Sequence, residues 1–290
     1  MERLDLSKLA DMLTSLEASI DTSARPPRLD TSTVDADTLH DNDLVVRGSN
    51  RYLVAGNVKC DCSNGYVFKR VENRPMAVPC PNCYELTKGL HRIQRAHLPN
   101  DAYDSALCNY IPDSTEQETI IRDMLMYSKP SIPPSLFMHG GAGNGKSTIS
   151  YILAKHLCLS GYNVKYIHHY HAFQEEKKGW GDGRDYLNSL VDNVDILIFD
   201  EFGGLGGRSR YSEWFMYTTV ELLGILYEKY KAGQLCIIMT SNMDPKDIYN
   251  KLLDRNDMAL SRLQNIFGNP LHMTGPDRRP KGNQVSSWIK

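Results

Sequence analysis

The sequence lacks the long apolar run that a membrane-spanning helix needs, since no stretch approaches the roughly 20 consecutive apolar residues required. It also lacks an excess of one charge, because 33 Lys and Arg stand against 35 Asp and Glu, a net charge of −2. The N-terminal residues lack the apolar core of a signal peptide. These absences exclude a uniformly basic nucleic-acid coat, and they lead us to expect a cytoplasmic protein with no membrane partner.

The chain has enough apolar material for a core, with 41% hydrophobic and 23% charged residues over 290 positions. A chain of this length predicts about two domains. Five short apolar segments in its second half are typical of strands and alternate with helical patterns: Leu136–Met138, Val164–Ile167, Ile196–Phe199, Leu235–Met239 and Leu271–Met273. Strands that alternate with helices predict an α/β fold in which a parallel sheet is covered on both faces.

A complete phosphate-binding motif, G-x-x-x-x-G-K-[ST], follows the first of these strands and precedes an amphipathic helix. Its residues are Gly140, Gly141, Ala142, Gly143, Asn144, Gly145, Lys146 and Ser147, and Thr148 follows in the helix. The glycines let backbone N–H groups surround an anion, and the helix N-terminus adds partial positive charge. The motif predicts a nucleotide site, with Lys146 on the β- and γ-phosphates and Ser147 on Mg²⁺.

Two carboxylates follow the strand Ile196–Phe199. Asp200 is predicted to hold Mg²⁺, directly or through water, and Glu201 to polarise the attacking water as general base. Because a glutamate adjoins the aspartate, the pair favours hydrolysis over a nucleotide switch or a kinase. Asn242 follows the next strand, and we expect its amide to lie between the acidic pair and the γ-phosphate and to orient water.

The order of these motifs resembles that of AAA+ ATPases, and more narrowly that of bacterial and phage helicase loaders of the DnaC/DnaI type, with the related transposition ATPase IstB. The resemblance covers about residues 95–280 and is carried by Gly140–Ser147, Ile196–Gly203, Ile238–Asn242, Leu260–Leu263 and Thr274–Arg279. It implies a P-loop AAA+ core with a five-stranded parallel sheet, ATP as the nucleotide, and a site at the boundary between two subunits.

The same resemblance implies that arginines complete the site. Arg262 would be the arginine finger that reaches a neighbour's γ-phosphate, so the chain would self-associate through its ATP site. Arg278 or Arg279 would be a second arginine in contact with the nucleotide, and the sequence does not choose between them. From its context alone, Arg262 in an apolar helix is more typical of a surface ion pair.

Four of the seven cysteines form a C-x-C…C-x-x-C pattern, in which 17 residues separate Cys60 and Cys62 from Cys80 and Cys83. In a reducing compartment this pattern is typical of a structural Zn²⁺ site, which would fold a module too small to stabilise itself. The pattern is similar to the zinc-bearing N-terminal domain of DnaI-type loaders, which contacts the helicase, whereas IstB-like proteins generally lack it. Cys108, Cys158 and Cys236 are predicted to be core thiols.

These patterns divide the chain into four segments. They are an N-terminal helix and flexible linker (1–50), a Cys₄ zinc-binding module (51–95), a helical connector (96–134) and the ATPase domain (135–290). The apolar stripe of the N-terminal helix fits either packing on its own neighbouring domain or docking to a partner protein. Lys177, Lys178, Trp180 and Arg184 fit either a solvated loop or phosphate contacts and a stacking platform for single-stranded DNA.

The motifs and the resemblance together predict an ATP-dependent loader of the hexameric replicative helicase onto single-stranded DNA during replication initiation. Two alternatives remain open. One is an IstB-like ATPase that binds DNA and regulates a transposase. The other is a clamp that binds ATP without hydrolysing it.

Overall fold

The computed structural model describes residues 44–48, 51–55, 66–71, 74–80, 84–105, 110–179, 186–204 and 211–279. Several sequence predictions lie outside these residues. They are the N-terminal helix, the zinc ligands Cys60, Cys62 and Cys83, the core thiol Cys108, and the DNA-contact candidates Trp180 and Arg184. Among the helices in the described ranges, none is long and apolar enough to cross a membrane.

The strands form two hairpins and one larger sheet. In the hairpins, β1 (Leu44–Gly48) pairs antiparallel with β2 (Arg51–Ala55), and β3 (Tyr66–Val71) pairs antiparallel with β4 (Arg74–Pro79). The larger sheet contains β5 (Leu136–Gly140), β6 (Val164–His168), β7 (Ile196–Asp200), β8 (Cys236–Ser241) and β9 (Leu271–Met273). Its order is β6-β7-β8-β5-β9 and every pairing is parallel, so the predicted five-stranded parallel sheet is confirmed.

Helices connect and cover these strands. They are α1 (Tyr84–Arg95), α2 (Thr115–Leu125), α3 (Lys146–Leu159), α4 (His169–Gly179), α5 (Tyr186–Ser189), α6 (Glu213–Lys231) and α7 (Asp257–Phe267), with short helical turns at Asn100–Asp104, Pro245–Asp247 and Ile248–Leu252. The N-terminus of α2 is capped by Ser114, whose hydroxyl accepts a hydrogen bond from the Gln117 backbone N–H at 3.2 Å. Such a side-chain acceptor satisfies one of the free N–H groups at a helix start.

The parallel sheet is buried on both faces because its central strands are apolar at successive positions. In β7, Ile196 and Ile198 join a core that contains Leu153 and Leu157 of α3. The intervening Leu197 and Phe199 join a second core, which α4, α6 and α7 cover. Successive strand side chains point to opposite faces, so an unbroken apolar run fills both layers.

This topology brings the ends of β5, β6, β7 and β8 to one edge of the sheet. Parallel strands end on the same side, and ligands of open α/β sheets bind in the crevice there. The register pairs His168 at the end of β6 with Asp200 at the end of β7. It also pairs Met138 of β5 with Thr240 of β8. Side chains that follow these strands therefore face one common space.

Candidate active site

The glycine-rich loop between β5 and α3 is packed closely against the chain at its first residue. Gly140 has a φ of +140°, a conformation that residues with a side chain rarely adopt. A Cβ at Gly140 would lie 2.3 Å from the Met273 carbonyl oxygen, whereas a Cβ at Gly141 would meet nothing within 4 Å. The Asn144 amide also donates to the Met273 carbonyl, at 2.5 Å. The end of β9 therefore fixes the position of the loop.

The Lys146 ammonium lies inside this loop, and its side chain is buried. Its Nζ donates to the carbonyl oxygens of Gly140 at 2.9 Å and Gly141 at 2.7 Å, and to Asn144 Oδ1 at 3.0 Å. Burial lowers the pKa of Lys146 to about 8, although the nearby Asp200 carboxylate raises it. The loop thus concentrates a desolvated positive charge at the start of α3, where the helix dipole has the same sign.

The Asp200 carboxylate is buried at the end of β7 and accepts hydrogen bonds from three hydroxyl groups. Ser147 Oγ donates to Oδ1 at 3.1 Å, and Thr240 Oγ1 donates to the same oxygen. Tyr166 donates to Oδ2 at 2.7 Å. A carboxylate next to a serine hydroxyl is a donor set that suits Mg²⁺, which takes oxygen ligands and usually binds through one or two carboxylates and substrate phosphates. Both predicted magnesium ligands therefore lie together and fit the ion.

The Glu201 side chain lies beside the same site and is held by its neighbours. One carboxylate oxygen contacts His168 Nε2, and the other accepts a hydrogen bond from Asn242 Nδ2 at 3.4 Å. Its backbone has a φ of +54°, which is uncommon for a residue other than glycine. The Glu201 N–H donates to Thr240 Oγ1 at 3.0 Å, which helps to hold this turn. The structure brings the predicted base and the predicted amide into contact.

The turn after Glu201 is anchored from the other side by a histidine. His169 Nδ1 accepts a hydrogen bond from the Gly203 backbone N–H at 2.8 Å. Complete burial moves the pKa of His169 well below its usual value, so the ring stays neutral and can accept this bond. His168 and His169 therefore make different contacts around Glu201.

The three predicted arginines lie in different surroundings. The Arg278 guanidinium donates to the Ile111 carbonyl at 2.6 Å, pairs with the Asp113 carboxylate, and lies 4.7 Å from the centre of the Tyr110 ring. Arg279 is more exposed, and its charge helps to lower the pKa of Lys146. Arg262 makes no side-chain hydrogen bond or ion pair within the described ranges, and its guanidinium packs beside Gly224 of α6.

A cavity of about 470 Å³ joins these groups, a volume typical of small-molecule sites. Its lining includes most of the residues predicted from the sequence: Gly143, Asn144, Gly145, Lys146, Ser147, Thr148, Asp200, Glu201, Asn242, Arg278 and Arg279. Thr240, Asp101 and Tyr151 also line it. Arg262 does not line this cavity of its own chain.

Sequence reasoning missed several groups that contact the two carboxylates or the loop, and Thr240, whose hydroxyl donates to Asp200, is one of them. Tyr166 and His168 lie on β6, two residues apart, and therefore on the same face of the sheet edge. Tyr110 packs against Gly145 and carries the Arg278 contact. The spacing of Tyr166 and His168 at a strand end was a usable signal, because the neighbouring strand β7 ends in Asp200. No local pattern pointed to Tyr110.

The cysteine predictions have mixed outcomes. Of the four predicted zinc ligands, Cys80 lies within the described ranges and is buried, with 3% of its surface exposed. The other three lie outside those ranges, so the zinc site stays a prediction. Cys158 and Cys236 are fully buried among apolar residues, as predicted for core thiols. Burial raises the pKa of Cys158 to about 12, which keeps its thiol protonated.

Comparison with known proteins assigns the central part of the chain. Residues 136–262 match the family model described as "ATPase family associated with various cellular activities (AAA)". The chain carries an AAA ATPase domain. The resemblance to AAA+ ATPases is thereby confirmed for these residues.

Two curated relatives match a part of the chain that is similar in length. The chromosomal replication initiator protein DnaA of Herminiimonas arsenicoxydans is 31% identical over 137 residues, which cover 43% of this chain and 27% of that protein. DnaA of Burkholderia cenocepacia is 29% identical over 136 residues, which cover 43% of this chain and 24% of that protein. These matches span about a quarter of the length of the DnaA proteins.

A solved structure of DnaI superimposes with a TM-score of 0.50 and 17% identity, covering 63% of this chain and 94% of that chain. This likeness concerns the fold. It agrees with the parallel sheet, the strand order and the covering helices described above.

Gly140→Ala should weaken nucleotide binding by at least about tenfold, or about 1.4 kcal/mol. The added Cβ collides with the Met273 carbonyl and must shift either β9 or the phosphate loop. The measurement is a titration of each purified full-length variant with a fluorescent ATP analogue. Gly141→Ala is the matched control, since its Cβ enters open space and its affinity should stay near that of the wild type. Equal affinities for the two variants would contradict this account of the loop.

Proposed function

We propose that this chain is an ATP-hydrolysing loader that places the hexameric replicative helicase on single-stranded DNA during replication initiation. The observation that carries the proposal is the sequence match of this chain to DnaA, which is a chromosomal replication initiator protein. The fold likeness to DnaI and the motif resemblance to DnaC/DnaI-type loaders support the narrower role. The C-x-C…C-x-x-C pattern at Cys60, Cys62, Cys80 and Cys83 also favours a loader over an IstB-like protein.

In the proposed binding step, the N–H groups of the loop and the Lys146 ammonium hold the β- and γ-phosphates of ATP. Ser147 Oγ and the Asp200 carboxylate lie 3.1 Å apart and would hold Mg²⁺ between loop and strand. Bound there, Mg²⁺ would supply positive charge to the phosphate oxygens. Arg279 is the better placed of the two C-terminal arginines to reach the phosphates, since the Arg278 guanidinium is engaged with Asp113 and Ile111.

In the proposed hydrolytic step, Glu201 accepts a proton from the water that attacks the γ-phosphorus. The bond between the γ-phosphorus and the oxygen that bridges it to the β-phosphate breaks, and ADP leaves with the electron pair of that bond. The Asn242 amide and His168 contact its two carboxylate oxygens and set the direction in which the group points. A general base must lie within hydrogen-bond reach of the proton that it removes. The position of Glu201 at the rim of the cavity, beside buried Asp200, satisfies that requirement for a water in the cavity.

Glu201→Gln should bind ATP with an affinity near that of the wild type and release phosphate at least about a hundredfold more slowly, the usual scale of general-base catalysis. The amide keeps the shape and the hydrogen-bonding capacity of the side chain but cannot accept the proton. A coupled phosphate-release assay with parallel nucleotide titration measures both quantities. Glu228→Gln on the exposed surface of α6 is the control. Full turnover by Glu201→Gln would remove Glu201 from the mechanism.

Arg262 is proposed to act on the ATP of a neighbouring subunit. Its guanidinium is unpaired within the described ranges, lies on α7 against α6, and does not line the cavity of its own chain. An arginine supplied in this way stabilises the charge that develops during phosphoryl transfer. The proposal therefore includes self-association of the chain through the ATP site.

Arg262→Ala should bind ATP normally and lose hydrolysis, and mixing it with Lys146→Ala should restore part of the activity. In the mixture, a Lys146→Ala subunit supplies Arg262 to an Arg262→Ala neighbour whose own ATP site is intact. Phosphate release is measured for each variant alone and for a series of mixing ratios. Arg122→Ala on exposed α2 is the control and should hydrolyse ATP alone. Mixtures no more active than the sum of their parts would contradict catalysis between subunits.

The partner assignment is tested by affinity capture from the source cell with ATP present, using the Glu201→Gln chain to hold the ATP-bound form. Recovery of the replicative helicase, with tighter binding to single-stranded than to duplex DNA at the same salt concentration, is the expected result. Recovery of a transposase with a preference for duplex DNA would instead indicate the IstB-like role. Tight ATP binding with no phosphate release by the wild type would indicate a clamp.

A further inference from the structure

Tyr166 is a partly buried tyrosine whose hydroxyl donates to the carboxylate proposed to bind Mg²⁺, and no nucleotide-binding motif includes it. It lies on β6, next to β7 in the sheet, and its Oη donates to Asp200 Oδ2 at 2.7 Å. The opposite oxygen, Oδ1, accepts from Ser147 and Thr240. Both oxygens of the carboxylate therefore accept hydrogen bonds, and the donors lie on three different elements, β6, α3 and β8.

These bonds determine how the carboxylate is turned. The final torsion of an aspartate is broad and is not fixed by rotamer preference alone. A buried carboxylate must also satisfy its oxygens with hydrogen bonds. Without Tyr166, the Oδ2 side of Asp200 loses a donor and the group can rotate toward Ser147 and Thr240. Removing one hydroxyl would thus change the orientation of the carboxylate without changing its charge.

Tyr166 is also held in place by contacts other than its hydrogen bond to Asp200. Its backbone N–H donates to the Ala96 carbonyl at 2.8 Å, and its ring lies 5.6 Å from that of Tyr151. Tyr151 is buried on α3, one helical turn after Ser147, and lines the cavity. Burial and the Asp200 charge raise the pKa of Tyr166, so its hydroxyl stays a neutral donor. The aromatic pair thus connects the serine and aspartate sides of the site.

We propose that Tyr166 is a positioning residue, which holds the Asp200 carboxylate in the orientation that receives Mg²⁺ and so sets the metal affinity of the site. This inference rests on the proposed binding of ATP with Mg²⁺ at this site. It predicts that loss of the hydroxyl changes one affinity and leaves another unchanged, which loss of a purely structural hydroxyl would not do. Metal affinity should depend on Tyr166, whereas the affinity for the nucleotide without metal should not.

The test compares Tyr166→Phe with Tyr162→Phe in the full chain. Tyr162 is the matched control because it is a buried tyrosine whose hydroxyl donates to the Ser131 carbonyl, away from the cavity. A fluorescent ATP analogue is titrated in EDTA and then at increasing Mg²⁺. In Tyr166→Phe, the Mg²⁺ concentration at the midpoint should rise about tenfold, the scale for loss of a partner that orients a metal ligand. In EDTA, all three proteins should bind the analogue alike.

A second comparison tests whether Tyr166 acts through Asp200. In an Asp200→Asn background, Tyr166→Phe should cause no further change in the Mg²⁺ midpoint, since the carboxylate that it orients is gone. A midpoint in Tyr166→Phe equal to that of Tyr162→Phe, or an equal further shift in the Asp200→Asn background, would overturn the inference. A wild-type chain whose analogue binding does not respond to Mg²⁺ would instead overturn the proposed function of the site.

Discussion

The hydrogen bond from Ser147 to Asp200 joins the two halves of the nucleotide site, and the surrounding structure is arranged to make that contact possible. Ser147 lies in the first turn of α3 after the phosphate loop, and Asp200 ends β7, which lies between β6 and β8 in the sheet. The two residues are 53 positions apart in the chain. They meet because parallel strands end at one edge of the sheet, where the loops after β5 and β7 face each other.

Bringing these groups together has an energetic cost that the rest of the fold must offset. Lys146 is desolvated enough to move its pKa to about 8, Asp200 is a buried carboxylate, and Glu201 holds an uncommon backbone conformation. Buried charges and uncommon backbone conformations persist only where many surrounding contacts hold them in place. Here, two apolar cores fix the sheet from both faces, and hydroxyls from β6, α3 and β8 satisfy the buried carboxylate.

The AAA domain accounts for the ATP chemistry, but it does not by itself specify which partner the chain binds. The match to DnaA covers 43% of this chain and about a quarter of those proteins, and proteins that share a fold can differ in their other parts and functions. In this chain, the residues before the ATPase region carry the cysteine pattern and two hairpins. Lys177 and Lys178 lie exposed at the end of α4.

Local sequence patterns were enough to predict the five strands of the parallel sheet, the phosphate loop and the pair Asp200–Glu201, whereas the strands β1 to β4 were not predicted. An apolar run of five residues forms a buried strand wherever the sheet places it, and glycine spacing specifies the loop. Tertiary structure alone decided that Tyr166 reaches Asp200, that His168 reaches Glu201, and that Arg278 is engaged by Asp113. These contacts join residues between 33 and 165 positions apart. They depend on which strands are neighbours and which segments pack on the loop, and that is set by burial of the two cores as a whole.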